Sequence, residues 1–274
     1  MSHDDNMQRP DEQTRHDDIA RVWAATDYAP TGARLAPVAE VVAARASQLA
    51  PDEGVLVDVG AGHGQLAAAL ARGAGPRRVL AIEPTARLVG EGAALSLATV
   101  TWRQATAERT GLDDGEAAAL ASCFGWMFGE PSAAGAEAAR VLRPDGALVF
   151  TAWAERGFLH DMTQRMTQVL PFLAGASHLA RGRAETARER LAPYFGHVEI
   201  EVCDLDWSFP SVAAGMELYR HGSPPHTASF AAAGERRGEL EAVLEDHLRS
   251  EAGPDGAIRS QASYLLITAT RPRG

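Results

Sequence analysis

Residues 55–64 read Val-Leu-Val-Asp-Val-Gly-Ala-Gly-His-Gly, and this segment restricts the fold more than any other in the chain. An almost unbroken apolar run that meets an acidic residue and then three alternate glycines predicts a buried strand breaking into a tight turn. The Ala- and Leu-rich stretch from Gln65 to Arg72 predicts a helix that starts at the last glycine. Glycine admits positive φ and lets the backbone approach a ligand with no Cβ in the way. The turn and the helix start offer free N–H groups to a polar partner. A nucleoside-type cofactor is therefore expected at Gly60–Gly64.

The spacing discriminates between cofactors. A dinucleotide fingerprint needs Gly-x-Gly-x-x-Gly, whereas here the glycines are 60, 62 and 64 and Gln65 stands in the third position. A phosphate loop ends in Gly-Lys, and all 26 basic residues of this chain are arginines. The lack of lysine also excludes Schiff-base chemistry. A chance Gly-x-Gly-x-Gly is common in a chain with 26 glycines, but Val-Leu-Val-Asp before it and Glu83 after it make the motif specific.

Strand and helix patterns then alternate. Strands are expected at 54–59, 78–82, 99–104, 117–122 and 147–153, and helices at 65–72, 85–93 and 131–142. Upstream, 18–26 and 35–49 have helical spacing, with Pro30, Thr31 and Gly32 as a break between them. Downstream, 157–197 is helical and irregular, 197–205 and 264–270 read as strands, and 212–220 and 228–250 read as helices. The alternation predicts an α/β fold with a doubly wound, mostly parallel seven-stranded sheet, an antiparallel edge strand and a helical lid. The expected division is a disordered acidic tail (1–17), a cofactor-binding core (18–156) and a lid and substrate region (157–274) that also carries the last strands of the same domain. Ligands of such sheets bind beyond the carboxyl ends of the strands. Gly60, Glu83, Thr106 and Cys123 all fall just past a predicted strand end.

A length of 274 residues suits one large domain of this kind. The net charge of −10 argues against nucleic acid as a partner. No apolar run approaches the roughly 20 residues of a membrane span, and residues 1–18 lack the basic-then-apolar order of a secretory signal. Cys123 and Cys203 sit in apolar contexts and read as reduced core residues, so a cytoplasmic location is expected. The two His-Asp-Asp clusters at 3–5 and 16–18 read as a solvated tail rather than a metal site, and no metal is expected. Arg181, Arg183, Arg188 and Arg190 alternate with Ala and Glu, as a solvated helix face does.

Further motifs are Trp23, Asp27-Tyr28, Ala105-Thr106-Ala107-Glu108, Cys123-Phe124-Gly125-Trp126, Val141-Leu142-Arg143-Pro144-Asp145-Gly146 and Ala152-Trp153. With the glycine turn, they make residues 23–270 resemble the Rossmann-like (class I) S-adenosylmethionine-dependent methyltransferases, specifically the bacterial small-molecule branch. The resemblance implies S-adenosyl-L-methionine as cofactor and S-adenosyl-L-homocysteine as product. It places Asp58, Gly60, Ala61, Gly62, His63, Gly64 and Gln65 around the amino-acid and ribose part. Glu83, followed by Pro84, takes both ribose hydroxyls, because a carboxylate is the side chain that accepts two donors. Leu88 packs on the adenine face, Thr106, Ala107 and Glu108 meet the adenine edge, and Cys123, Phe124 and Gly125 border the methionine chain. Trp23 and Tyr28 form an N-terminal lid. The chain departs from the family at Thr106 (usually Asp), Gly111 (often Pro), Glu116-Ala117 (usually Phe-Asp) and His63 (usually Thr or Ser).

Methyl transfer needs alignment and water exclusion more than a fixed catalytic motif. Where the acceptor is a hydroxyl, a general base helps. The candidates are His160, His178, His221, His226 and Tyr28, with His160 first because it follows the fifth strand. His221 and His226 flank Gly222-Ser223-Pro224-Pro225, read as a lid turn, whereas His197 and His247 read as structural. Trp126 and Trp153 suit either stacking on an aromatic acceptor or core packing, and Met162/Met166 suit the core. The expected reaction is methylation of an O or C atom, less readily N, of a small secondary metabolite of the antibiotic type. The alternative is a cofactor-binding cyclase or pericyclase-like enzyme that transfers no methyl. A homodimer is compatible with the sequence.

Overall fold

The apolar run of the motif becomes β1 (Val55–Val59), and β2 (Val79–Glu83) follows it; both are buried at every residue. This is the pattern of parallel strands covered on both faces. The computed structural model describes residues 21–23, 26–75, 77–171, 173 and 182–273. β1 pairs in parallel with β2 and with β4 (Ala117–Ser122), β2 with β3 (Val100–Gln104), and β4 with β5 (Leu142–Gly157). β7 (Ile258–Pro272) lies antiparallel between β5 and β6 (Phe195–Phe209), so the order is β3-β2-β1-β4-β5-β7-β6. The winding reverses between β1 and β4, which sets their two exit turns side by side.

Helices flank this sheet. α1 (Ala29–Leu49) packs on α2 (Gln65–Gly73) and against β4 and β5, while α3 (Ala86–Ala94) lies on β2 and β3. α4 (Pro131–Val141) meets α6 (Ala184–Leu191) over β5 and β7. α5 (Phe158–Val169), α7 (Val212–Glu217), α8 (Pro224–Ala232) and α9 (Arg237–Ser250) form a separate helical layer centred on α9. Among the described residues no helix is long and apolar enough to cross a membrane. No group of three His, Cys, Asp or Glu there could hold a metal.

Several boundaries differ from expectation for identifiable reasons. The expected break at Pro30-Thr31-Gly32 is the first turn of α1, because the missing N–H of a proline costs nothing at a helix start. The break falls instead at Asp27-Tyr28, where the Asp27 carboxylate accepts from the Ala29 N–H. The single helix expected at 228–250 is divided by Gly234, whose φ is +52°. Gly222–Pro225 is not a free lid turn: Pro224 starts α8, and Leu218–Gly222 forms a wide π-type turn. β6 and β7 reach 15 residues each, since their antiparallel register runs unbroken from Phe195↔Pro272 to Phe209↔Ile258. The helix expected at 18–26 falls largely outside the described residues, with 21–23 helical, and His178 and Arg181 also lie outside them.

Candidate active site

The three glycines of the turn all take left-handed backbone, with φ of +72°, +53° and +80° at Gly60, Gly62 and Gly64. They do so for different reasons. A Cβ on Gly60 would stand 2.8 Å from the Gly125 Cα, and one on Gly125 would stand 2.8 Å from the Val59 carbonyl oxygen. These two glycines let the β1 and β4 turns touch backbone to backbone. Gly64 caps α2, and a Cβ there would meet the Trp102 ring of β3 at 2.9 Å. Gly62 faces the crevice, its Cβ position 3.3 Å from the Tyr28 ring. Of the three, Gly60 and Gly62 line the cavity described below, and Gly64 does not.

Two buried carboxylates flank this turn and behave differently. Glu83, at the end of β2, is satisfied: Oε2 accepts from the Gly62 N–H at 3.0 Å and Oε1 from the Thr85 N–H at 2.9 Å. Burial raises its pKa, while the bonds from Thr85 and Gly62 and the neighbouring His63 oppose that rise. Each oxygen keeps a lone pair for a further donor. Asp58, in β1, is 1% exposed and neither oxygen has a hydrogen-bond partner. Burial pushes its pKa up to about 8; the Ala67 amide eases this without full hydrogen-bond geometry, and the Glu83 charge adds to it. An unpaired buried carboxylate is costly, so this position calls for a proton or a cationic ligand. Cys123 lies just past β4, its thiol pushed up by burial and then by Asp58.

Asp58, Gly60, Ala61, Gly62, Gln65, Leu66 and Cys123 line one small cavity together with Tyr28, Gly32, Leu35 and Ala39. The Tyr28 ring is stacked on His63 with centroids 5.6 Å apart, and Trp23 meets it edge-on at 5.1 Å while also touching Phe128. The segment before α1 therefore covers the crevice. Burial raises the Tyr28 pKa strongly, and Cys123, Glu83 and Asp58 add to it. A phenol so placed is held in its protonated form. The His63 Nε2 is buried without a partner, and Nδ1 lies 3.6 Å from Glu91 Oε2. Sequence reasoning passes over Gly32, Leu35, Ala39 and Leu66. The signal for the first three was present, since 28, 32, 35 and 39 recur at helical spacing on one face of α1.

The other cofactor candidates do not line this cavity. Leu88 and Ala107 are buried, and Thr106 forms a bridge to Arg109. The Pro84 carbonyl accepts from the Gln104 side chain, and Glu108 Oε1 accepts from the Glu130 N–H at 2.6 Å, bracing the start of α4. Phe124 is held at φ +59° and turns its ring onto Trp153, with centroids 3.9 Å apart. An aromatic residue in left-handed backbone is uncommon and marks a position held by its surroundings; here the Thr151 hydroxyl accepts from its N–H.

The histidine candidates do not converge. His160 sits in the first turn of α5, half-buried, with Nδ1 buried and without a partner. The His221 side chain is 67% exposed beside Glu217. His226 shares a 2.7 Å hydrogen bond between Nδ1 and the Ser223 hydroxyl and rests on the Tyr219 ring. His247 is buried, its Nε2–H donating to the Phe158 carbonyl at 3.1 Å, and His197 is exposed on β6. Trp126 packs on Phe150, and Met162 and Met166 are in the core.

Comparison with known proteins agrees with this fold. A family model described as a methyltransferase domain matches residues 57–150. No curated protein matches the chain significantly in sequence. Among solved structures, a protein described as a type II methyltransferase from Anaeromyxobacter dehalogenans is similar, with TM-score 0.59 and 21% identity over 85% of this chain and 95% of its own. The YcgJ protein of Bacillus subtilis gives 0.57 and 15%, over 89% of this chain and 100% of its own. A protein from Anabaena variabilis, described as a methyltransferase from an antibiotic biosynthesis pathway, gives 0.53 and 20%, over 84% and 96%. Residues 57–150 thus match a methyltransferase domain model, and the chain has the Rossmann-like fold of the class I methyltransferases.

Proposed function

We propose that this protein transfers a methyl group from S-adenosylmethionine to an oxygen or carbon atom of a small molecule, with a secondary metabolite as the expected class. The observation that carries this reading is Asp58, a buried carboxylate with no donor, facing the cavity beside Gly62. The cofactor's amino-acid end supplies the ammonium that such a group lacks. Glu83 keeps one lone pair on each oxygen for the ribose hydroxyls, already aimed by its bonds to Gly62 and Thr85. Cys123 lines the same cavity, so the β4 turn borders the methionine chain. When bound, S-adenosylmethionine supplies a methyl on a sulfonium that an in-line acceptor displaces.

The chain's own residues then align the acceptor and keep water out. Tyr28 and Trp23, in edge-on contact over the crevice, exclude solvent. His160, with its unpartnered Nδ1 at the start of α5, is the group proposed to take the proton of a hydroxyl acceptor. Calorimetry with S-adenosylmethionine tests the cofactor half, and absence of binding sinks it. Mass spectrometry of candidate acceptors tests the rest. A product heavier by one methyl group supports transfer, and an isomer with no added methyl assigns the non-transferring cyclase reading instead.

A further inference from the structure

An aromatic run begins where the cofactor cavity ends. Phe124, next in the chain to the cavity-lining Cys123, stacks on Trp153. Trp153 meets Trp207 edge-on with centroids 5.8 Å apart, and the Trp207 indole N–H donates to the Tyr219 oxygen at 3.0 Å. At the far end stands Arg34. Its guanidinium carbon lies 4.3 Å from the Phe209 ring centroid and 5.4 Å from that of Trp207. Arg34 belongs to the same turns of α1 as Gly32 and Leu35, which line the cofactor cavity. The run is therefore bounded at both ends by residues adjoining that cavity.

No described carboxylate offsets the charge of Arg34, and unlike the similarly unpaired Arg77 and Arg103 it lies against aromatic rings. Arg45, Arg140 and Arg220 each pair with a carboxylate. Arg34 forms no ion pair with a described residue; its Nη1 donates to the Ser208 carbonyl at 3.0 Å, and Nε and Nη2 have no acceptor among the described residues. Burial holds its guanidinium below the ordinary value. The two unused donor nitrogens are available to an incoming anion, for which the planar guanidinium is suited. Arg34 and Trp153 are the half-buried members of a cluster otherwise closed to solvent.

We infer that Trp153 and Arg34 form the acceptor-recognition site, and that the acceptor is a planar aromatic molecule carrying a carboxylate or phosphate group. The inference rests on the methyltransferase reading of the neighbouring cavity, and it assigns the substrate class that this reading leaves open. The ring lies against the aromatic run near the β4 turn, and Arg34 takes the anion through its free nitrogens.

Calorimetry on the full chain with 2-naphthoate, 2-naphthyl phosphate and neutral 2-naphthamide tests this. At least one anion should bind about tenfold more tightly than the amide, the scale of one charge-assisted contact. Which anion binds distinguishes a carboxylate from a phosphate acceptor. Arg34→Gln should remove the preference and Arg34→Lys should retain part of it. Trp153→Ala should weaken all three ligands while keeping their ratio. Equal binding of anion and amide, no anion binding, or a preference that survives Arg34→Gln overturns the inference. S-adenosylmethionine binding, measured on the same samples, should be unchanged in both Arg34 variants and reports that they are folded. Anion preference without cofactor binding retires the methyltransferase reading and keeps this one; cofactor binding without anion preference does the reverse.

Discussion

Replacing Asp58 with asparagine should make the ligand-free protein more stable and a poorer cofactor binder. The Asp58 carboxyl, ordinarily ionising at 3.8, is pushed up to about 8 by burial. Between those two values the folded chain holds a proton that the unfolded chain has released, so stability falls as pH rises through that window. At about 1.4 kcal/mol per pH unit, the penalty reaches about 4 kcal/mol at pH 7 and levels off above about pH 8. Asparagine has nearly the same shape and carries no charge to desolvate. Its amide still lacks partners, so the realised gain should be about 2 kcal/mol at pH 7. Urea unfolding of both proteins at pH 5, 6, 7 and 8 measures it, and the gain should grow with pH. A gain independent of pH, or a loss at pH 8, refutes the argument. The same substitution should weaken S-adenosylmethionine about tenfold or more at pH 8, because the ammonium loses its counter-charge.

Other outcomes follow from the same geometry. Glu83→Ala should cost cofactor affinity severely and loosen the Gly62 turn, so calorimetry and unfolding should move together; unchanged affinity would refute the ribose assignment. Gly125→Ala places a Cβ within 2.8–3.0 Å of three backbone atoms of Val59 and Gly60, which cannot yield as a side chain can. It should destabilise by about 1–3 kcal/mol in urea unfolding. Burial and then Arg165 pull the His247 pKa below its ordinary 6.5, so its share of stability is whole above that value and is lost as pH falls below it. The acid slope of unfolding should be shallower in His247→Gln. His160→Ala should lower turnover on a hydroxyl acceptor while leaving cofactor affinity in place, and normal turnover would remove it as the base.

The sequence by itself determined the parallel core. β1 to β4 begin and end within a residue or so of the predicted spans, because burial on both faces leaves a local signature of short apolar runs bounded by glycine and polar residues. The clustering of Asp58, Gly62, Glu83 and Cys123 was legible for the same reason: each stands at or just past the carboxyl end of a strand of one sheet. The lengths of β6 and β7 were not legible, since they depend on a pairing between 195–209 and 258–272 that no local window contains.

The work of each glycine was likewise decided in three dimensions. Gly60, Gly62 and Gly64 look alike in the chain, yet one touches Gly125, one faces Tyr28 and one clears Trp102, each neighbour arriving from a different element. The run from Phe124 through Trp153 and Trp207 to Arg34 joins α1, β5, β6 and the β4 turn, and no spacing in the sequence hints at it. Strand, turn and helix starts are written in nearest neighbours. Which charges go unpaired, and which rings meet, is set by packing between residues far apart in the chain, and only the tertiary structure decides it.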